Sequence, residues 1–185
     1  MGEMAIARLG GREFLGKGGL KLSSPAFADG DDLDPCFTAD EEDAVAPPLE
    51  WTAPPPGTQD MVLIVEDPAG PKGEPFVHWL VWGLSPQQGK LLEGEVPPRV
   101  GKNAFGNSEW LLPAPPKGDE PHTYVFQLFA LDLPLVEMPG IDRDTLIDAM
   151  AGHVLSAAIL TATYQRQDGD GEDGWDENED DIEFE

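Results

Sequence analysis

Two apolar runs, residues 61–66 (MVLIVE) and 76–83 (FVHWLVWG), flank the segment Asp67-Pro68-Ala69-Gly70-Pro71-Lys72-Gly73. Each run is long enough for a buried strand. The segment between them can be neither helix nor strand. Proline fixes φ and lacks an N–H, and glycine supplies tight turns. The layout sets Asp67 at the end of one strand and His78 inside the next. An Asp at a strand end beside a His in an apolar strand is one way to cut a small polar pocket into a β core.

A second stretch is organised in the same way. The turn Pro113-Ala114-Pro115-Pro116-Lys117-Gly118 precedes His122 and Tyr124, and residues 125–131 (VFQLFAL) continue as a strand. His122 and Tyr124 stand two apart, so on a strand they share a face. These two turn-and-strand units supply Asp67, His78, His122 and Tyr124 as candidate site residues, although periodicity alone does not bring them together in space. Further strands are expected over residues 122–131 and around 156–165, with Leu49-Glu50-Trp51 leading into the core. One helix is expected over 143–150, with Asp142 as its N-cap, Asp144 at its positive end and Gly152 past its close. Short strands between frequent turns point to a mostly β chain, a β-sandwich with one or two peripheral helices.

The chain resembles the phosphatidylethanolamine-binding protein family, which includes the Raf kinase inhibitor protein, and its short bacterial and archaeal branch in layout. One signature is an Asp-Pro-x-x-Pro turn and then a His, matched by Asp67-Pro68-Ala69-Gly70-Pro71 and His78-Trp79. The other is a Pro-Pro-x-Gly turn and then His-x-Tyr, matched by Pro115-Pro116-Lys117-Gly118 and His122-Thr123-Tyr124. Ser24-Pro25-Ala26-Phe27, Pro47-Pro48-Leu49-Glu50-Trp51 and the stretch from Gly152 to Tyr164 also agree. Ala69, Thr123, Ala114 and Ala46 depart from residues common in the family at those places. The resemblance implies Greek-key connections and a pocket for phosphate-like groups and phospholipid headgroups. It carries Asp67, His78, Pro115, His122 and Tyr124 into that pocket, and it implies a protein partner such as a kinase.

Two imidazoles and a phenol offer donors to a phosphate or carboxylate, and the amides of Ala114, Lys117 and Gly118 add more. A buried Asp is unfavourable without a partner, so Asp67 is expected to bond His78 or a ligand amine. Each residue also has a plainer reading. A lone His in an apolar strand is more often a satisfied core histidine than a ligand. Asp67 before proline can simply cap a turn, and Tyr124 can be a core aromatic. His153 is read as structural.

The rival class is a metal-dependent or acid–base hydrolase using Asp67, His78 and His122. Ser85, Ser108 and Thr123 sit in no nucleophile motif, and the single cysteine, Cys36, excludes an intrachain disulfide and a cysteine-built zinc site. No catalytic residue, metal or cofactor is expected.

The balance of 36 acids against 11 bases argues against nucleic acid and against anionic membrane surfaces as partners. Residues 168–185 hold 11 of the acids and residues 29–43 hold eight, neither with a base. Such a charge suits either salt-rich surroundings or a chain with local acidic segments in ordinary salt, and a salt-adapted interaction module is the third class. Residues 1–19 are read as an extension or an extra edge strand, 20–166 as the domain, and 167–185 as a disordered acidic tail. In that tail Asp168, Asp170, Glu172 and Glu179 mimic a calcium loop, but Asp173 stands where the sharp turn needs glycine. No secretory signal or membrane-length run is visible, so the chain is read as cytoplasmic.

Overall fold

A computed structural model describes residues 3–166. The calcium-like and disordered readings of the tail lie outside the described residues. The chain is mostly β, as expected. Strands β1 (Leu22–Ser23), β2 (Leu49–Trp51), β3 (Asp60–Asp67), β4 (Phe76–Leu84), β5 (Gly89–Leu91), β6 (Arg99–Val100), β7 (His122–Leu131) and β8 (Val154–Tyr164) form two antiparallel sheets. One has three strands, in the order β1-β2-β5. The other has five, in the order β6-β4-β3-β7-β8. Helices α1 (Ala5–Arg8) and α2 (Arg143–Met150) complete the framework.

The five-stranded sheet is buried on both faces, which is why β3 is apolar almost throughout instead of alternating. Its inner face carries Met61, Leu63, Val65, Trp79, Phe126 and Leu128 against Leu22, Leu49, Trp51 and Leu91 of the small sheet. Its outer face carries Val62, Ile64, Leu80, Trp82 and Phe129 against Ala5, Leu9, Leu146, Ile147 and Met150. Helix α2 has the expected bounds, and Asp142 accepts the amide of Thr145 at 2.9 Å as its N-cap.

Residues 3–19 form helical turns rather than an edge strand, and meet the sheet edge at a bridge from Leu15 to Ala157 and through bonds from the Ser156 hydroxyl to the Phe14 and Lys17 carbonyls. A buried polar network decides this. The Ala5 amide donates to Glu66 Oε1 at 2.7 Å, and the Ile6 amide donates to Gln127 Oε1 at 2.8 Å. Gln127 in turn donates to Glu66 at 3.0 Å, and Arg143 closes the set by donating to Glu66 Oε2. Glu66 is fully buried, so four groups converge on or beside a carboxylate that has left water entirely.

Strand β8 is long and lies at the edge of its sheet. Its outer side does not end in open backbone. The amides of Gly16, Gly30 and Leu33 donate to the carbonyls of Ala157, Thr161 and Thr163, and Thr163 donates back to Asp31. The side chains of Asp29 and Asp32 accept from the hydroxyls of Thr161 and Thr163.

Two irregularities in the pairing of β3 with β4 shape the site. Val65 faces Trp79 while Glu66 faces Val77, which leaves His78 as the extra residue of a bulge. A bulge re-aims the side chain it carries. Here it turns His78 toward Tyr124 and Trp110 on the inner face, beside Trp79 of the inner core. Nearer the other end, Gly83 takes φ 79° in a second slip, and its amide donates to Asp60 Oδ1 at 3.1 Å.

Candidate functional site

Asp67 ends β3, His78 occupies the bulge of β4, and His122 and Tyr124 begin β7. These strands are neighbours in the sheet, so three stretches remote in sequence meet at one end of the sandwich. The proline turns on either side close the walls. Together they enclose a cavity of about 260 Å³. Asp67, His78, Ala114, Pro115, His122 and Tyr124 all line it. Lys117 and Gly118, expected as amide donors, are not among its lining residues. Phe76, Phe105, Leu111, Leu112 and Asp119 are, and none of these was singled out by sequence reasoning.

Asp67 bonds His122, not His78 as expected. Its Oδ2 lies 2.5 Å from His122 Nδ1, while Oδ1 accepts the Ala69 amide at 2.8 Å. The cause is the register: His78 has been turned by its bulge toward Leu111, and His122 is left as the imidazole facing Asp67. His78 Nδ1 donates to the Leu111 carbonyl at 2.7 Å. That bond fixes the neutral tautomer with Nε2 free of the proton.

His122 Nε2 meets a second carboxylate, Asp119 Oδ2, at 2.9 Å. An ionised carboxylate only accepts, so while both bonds are made both ring nitrogens donate and the ring is an imidazolium. Tyr124 is buried edge-on to His78, at 5.0 Å between ring centres. Only burial and neighbouring charges act on its hydroxyl, which has no hydrogen-bond partner among the described residues. Burial is the main reason its pKa is raised, with the charge of Asp67 adding to the effect.

The two histidines are pushed in opposite directions. Burial lowers His78, only partly offset by the Leu111 carbonyl and the charge of Asp67. Burial also acts to lower His122, but Asp67 and Asp119 together outweigh it and the net shift is upward from 6.5. The stability that His122 gains from its partners is therefore fully present below pH 6.5 and is lost as pH rises through its raised pKa. The contribution of neutral His78 is present above 6.5 and is lost as pH falls through its lowered pKa. In a proton NMR titration of the imidazoles, His122 is expected to titrate above 6.5 and His78 below it. The reverse order would contradict the hydrogen-bond pattern.

Among the described residues no group of three or more His, Cys, Asp or Glu is placed to hold a metal ion. Cys36 lies outside the cavity, and partial burial followed by its bond with Asp34 pushes its thiol up to about 11. A second, wider hollow of about 660 Å³ runs along the other side of the Leu111–Leu112 strip. It shares Phe105, Leu111, Leu112 and Ala114 with the first cavity and adds Val45, Val96 and Trp110.

Comparison with known proteins fits this geometry. The family model for phosphatidylethanolamine-binding protein matches residues 23–165. The chain belongs to the phosphatidylethanolamine-binding protein family. A UPF0098 protein of Chlamydia pneumoniae is 38% identical over 152 residues, covering 80% of this chain and 99% of that protein. One from Pyrococcus horikoshii is 34% identical over 166 residues, covering 85% of this chain and 81% of that protein. Among solved structures, a phosphatidylethanolamine-binding protein homologue from Chlamydia trachomatis superposes with a TM-score of 0.73 at 32% identity, over 80% of this chain and 97% of that one. Escherichia coli YbcL, at 23% identity, shares the fold with a TM-score of 0.70 over 80% of this chain and 98% of its own. The phosphatidylethanolamine-binding fold thus accounts for the two antiparallel sheets. Among the described residues, no helix is long and apolar enough to cross a membrane.

Proposed function

We propose that this phosphatidylethanolamine-binding family member is a non-enzymatic binding protein whose cavity takes a small phosphate- or carboxylate-bearing group, a phospholipid headgroup among them. The observation that carries this reading is the convergence of His78, His122 and Tyr124 in one small, mostly apolar-walled cavity. Few polar groups set in an apolar wall is the usual form of a small-ligand site. The buried Tyr124 hydroxyl, unpartnered among the described residues, is a donor for an anionic oxygen, and the imidazolium of His122 supplies the opposite charge. Asp67 orients His122 and holds its proton. An apolar part joined to such a headgroup has the adjoining hollow beside Phe105 and Trp110 to lie in.

The lining contains no Ser, Thr, Cys or Lys. An acid–base pair without a hydroxyl of Ser or Thr, a thiol or a lysine amine beside it supports binding over acyl-transfer catalysis. A protein partner, a kinase among the candidates, is reached through the exposed rim, where Phe105 stands 69% exposed.

Calorimetric titration with phosphoethanolamine, inorganic phosphate and acetate, at low and high salt, tests the reading. Saturable binding is expected, abolished by His122→Ala and weakened about tenfold by Tyr124→Phe, as for loss of one hydrogen bond to a charged group. A folded wild type that binds none of the three at either salt would sink the headgroup reading.

A further inference from the structure

Two carboxylates hold His122, and they are not equivalent. Asp67 has a side chain only 6% exposed and is tied to the Ala69 amide. Asp119 has a side chain 46% exposed and sits on the turn that follows Gly118, whose φ of 90° reverses the chain there. Asp67 cannot leave without stranding a buried charge. Asp119 can rotate into water at little cost.

Asp119 also occupies a particular place. Its Oδ2 sits on His122 Nε2, inside the ring of lining residues. Nδ1 is already taken by Asp67, so Nε2 is the only imidazolium donor left for a ligand. His78 has committed its one proton to Leu111. A carboxylate of the chain itself thus fills the position where an incoming anionic oxygen would have to bind.

The charge count follows from the same bonds. Asp67 and Asp119 bring two negative charges, the imidazolium of His122 one positive, and neutral His78 none. The empty cavity keeps one net negative charge. A bare anion must displace Asp119 and then sit near it. A ligand that carries a cationic group beside its anion gives the displaced carboxylate a new partner.

Resting on the anion-cavity reading above, we propose that Asp119 is the selectivity residue of this site. It is an internal competitor on His122 Nε2 that makes the cavity prefer a zwitterion over a bare anion. Only Asp119 among the lining groups combines contact with the ligand position and freedom to move.

Titration of wild type and Asp119→Asn with inorganic phosphate and with phosphoethanolamine tests it. The substitution lies on an exposed turn and leaves the core untouched. Phosphate affinity is expected to rise about tenfold on removal of one like charge at this range and exposure. Phosphoethanolamine should gain clearly less, so the preference for the zwitterion shrinks. Independently of any ligand, the NMR titration of His122 should move down in the variant. Equal gains for both ligands would overturn the selectivity role. Unchanged affinities, with binding still lost in His122→Ala, would overturn the role of Asp119 and leave the anion cavity standing. Failure of both phosphate and phosphoethanolamine to bind any form of the protein would overturn both.

Discussion

Arg143→Met is expected to destabilise the protein by about 3–5 kcal/mol, the usual loss when one partner of a buried ion pair is removed. Glu66 is fully buried on β3, and Arg143 at the start of α2 donates to its Oε2. Without the guanidinium, the carboxylate keeps only the Ala5 amide and the Gln127 side chain. In a chain of this length that loss corresponds to a fall in Tm of roughly 6–20 °C. Arg143 also donates to the Glu3 carbonyl at 2.7 Å, so residues 3–9 should become more susceptible to protease as the melting point falls. The double variant Glu66→Leu with Arg143→Met should be less damaged than Arg143→Met alone, because an apolar replacement removes the buried charge instead of orphaning it. Denaturant melts of the two single variants and the double variant decide the matter. An Arg143→Met protein within about 0.5 kcal/mol of wild type would show that Glu66 does not depend on its partner.

Phe126→Ala should cost a similar amount, about 3–5 kcal/mol for a fully buried aromatic, and should also weaken ligand binding. Phe126 stacks on Trp110 at 6.0 Å between ring centres and packs on Phe27 at 5.8 Å. Trp110 is the residue before Leu111, whose carbonyl holds His78. Its indole also donates to the Phe37 carbonyl at 3.2 Å, which pins the loop from the other side. Truncating Phe126 removes the surface on which that loop rests, so the bond that sets the His78 tautomer loosens together with the core. Chemical denaturation and phosphoethanolamine calorimetry on the same variant separate the two effects. A large stability loss with unchanged affinity would show that the loop's bonds to the Phe37 and His78 carbonyls hold it without Phe126.

The long strands were legible because both faces of the central sheet are buried. Continuous apolar runs such as MVLIVE have few alternatives once prolines and glycines bound them. Helix α2 was legible through its cap and its apolar face. Strands β5 and β6, with three and two residues, leave no periodicity to read. Asp67, His78, His122 and Tyr124 were found because two turn-and-strand units carry them, and Pro115 through the family signature, yet their wiring was not. Which imidazole meets Asp67 depends on the bulge at His78, and a one-residue irregularity in pairing has no signature in one chain of letters. Asp119 was passed over because an Asp after glycine in a turn is usually just a turn residue. Glu66 stands in the sequence only as the last residue of the 61–66 run. Its partners at residues 5, 127 and 143 are too far away in sequence for any local pattern to suggest them.

The acids of residues 29–32 also do more than add charge. By stitching themselves along β8, they deny its backbone to any strand from outside. An unprotected edge of eleven residues is a template on which a second copy, or an unfolded neighbour, can zip into the sheet. Here such a visitor would have to strip away bonded aspartates and approach a ridge of like charge. The same closure restricts recognition. A protein partner cannot join this molecule by lengthening the sheet along β8 without first displacing these aspartates, so recognition on this side falls to side chains and loops.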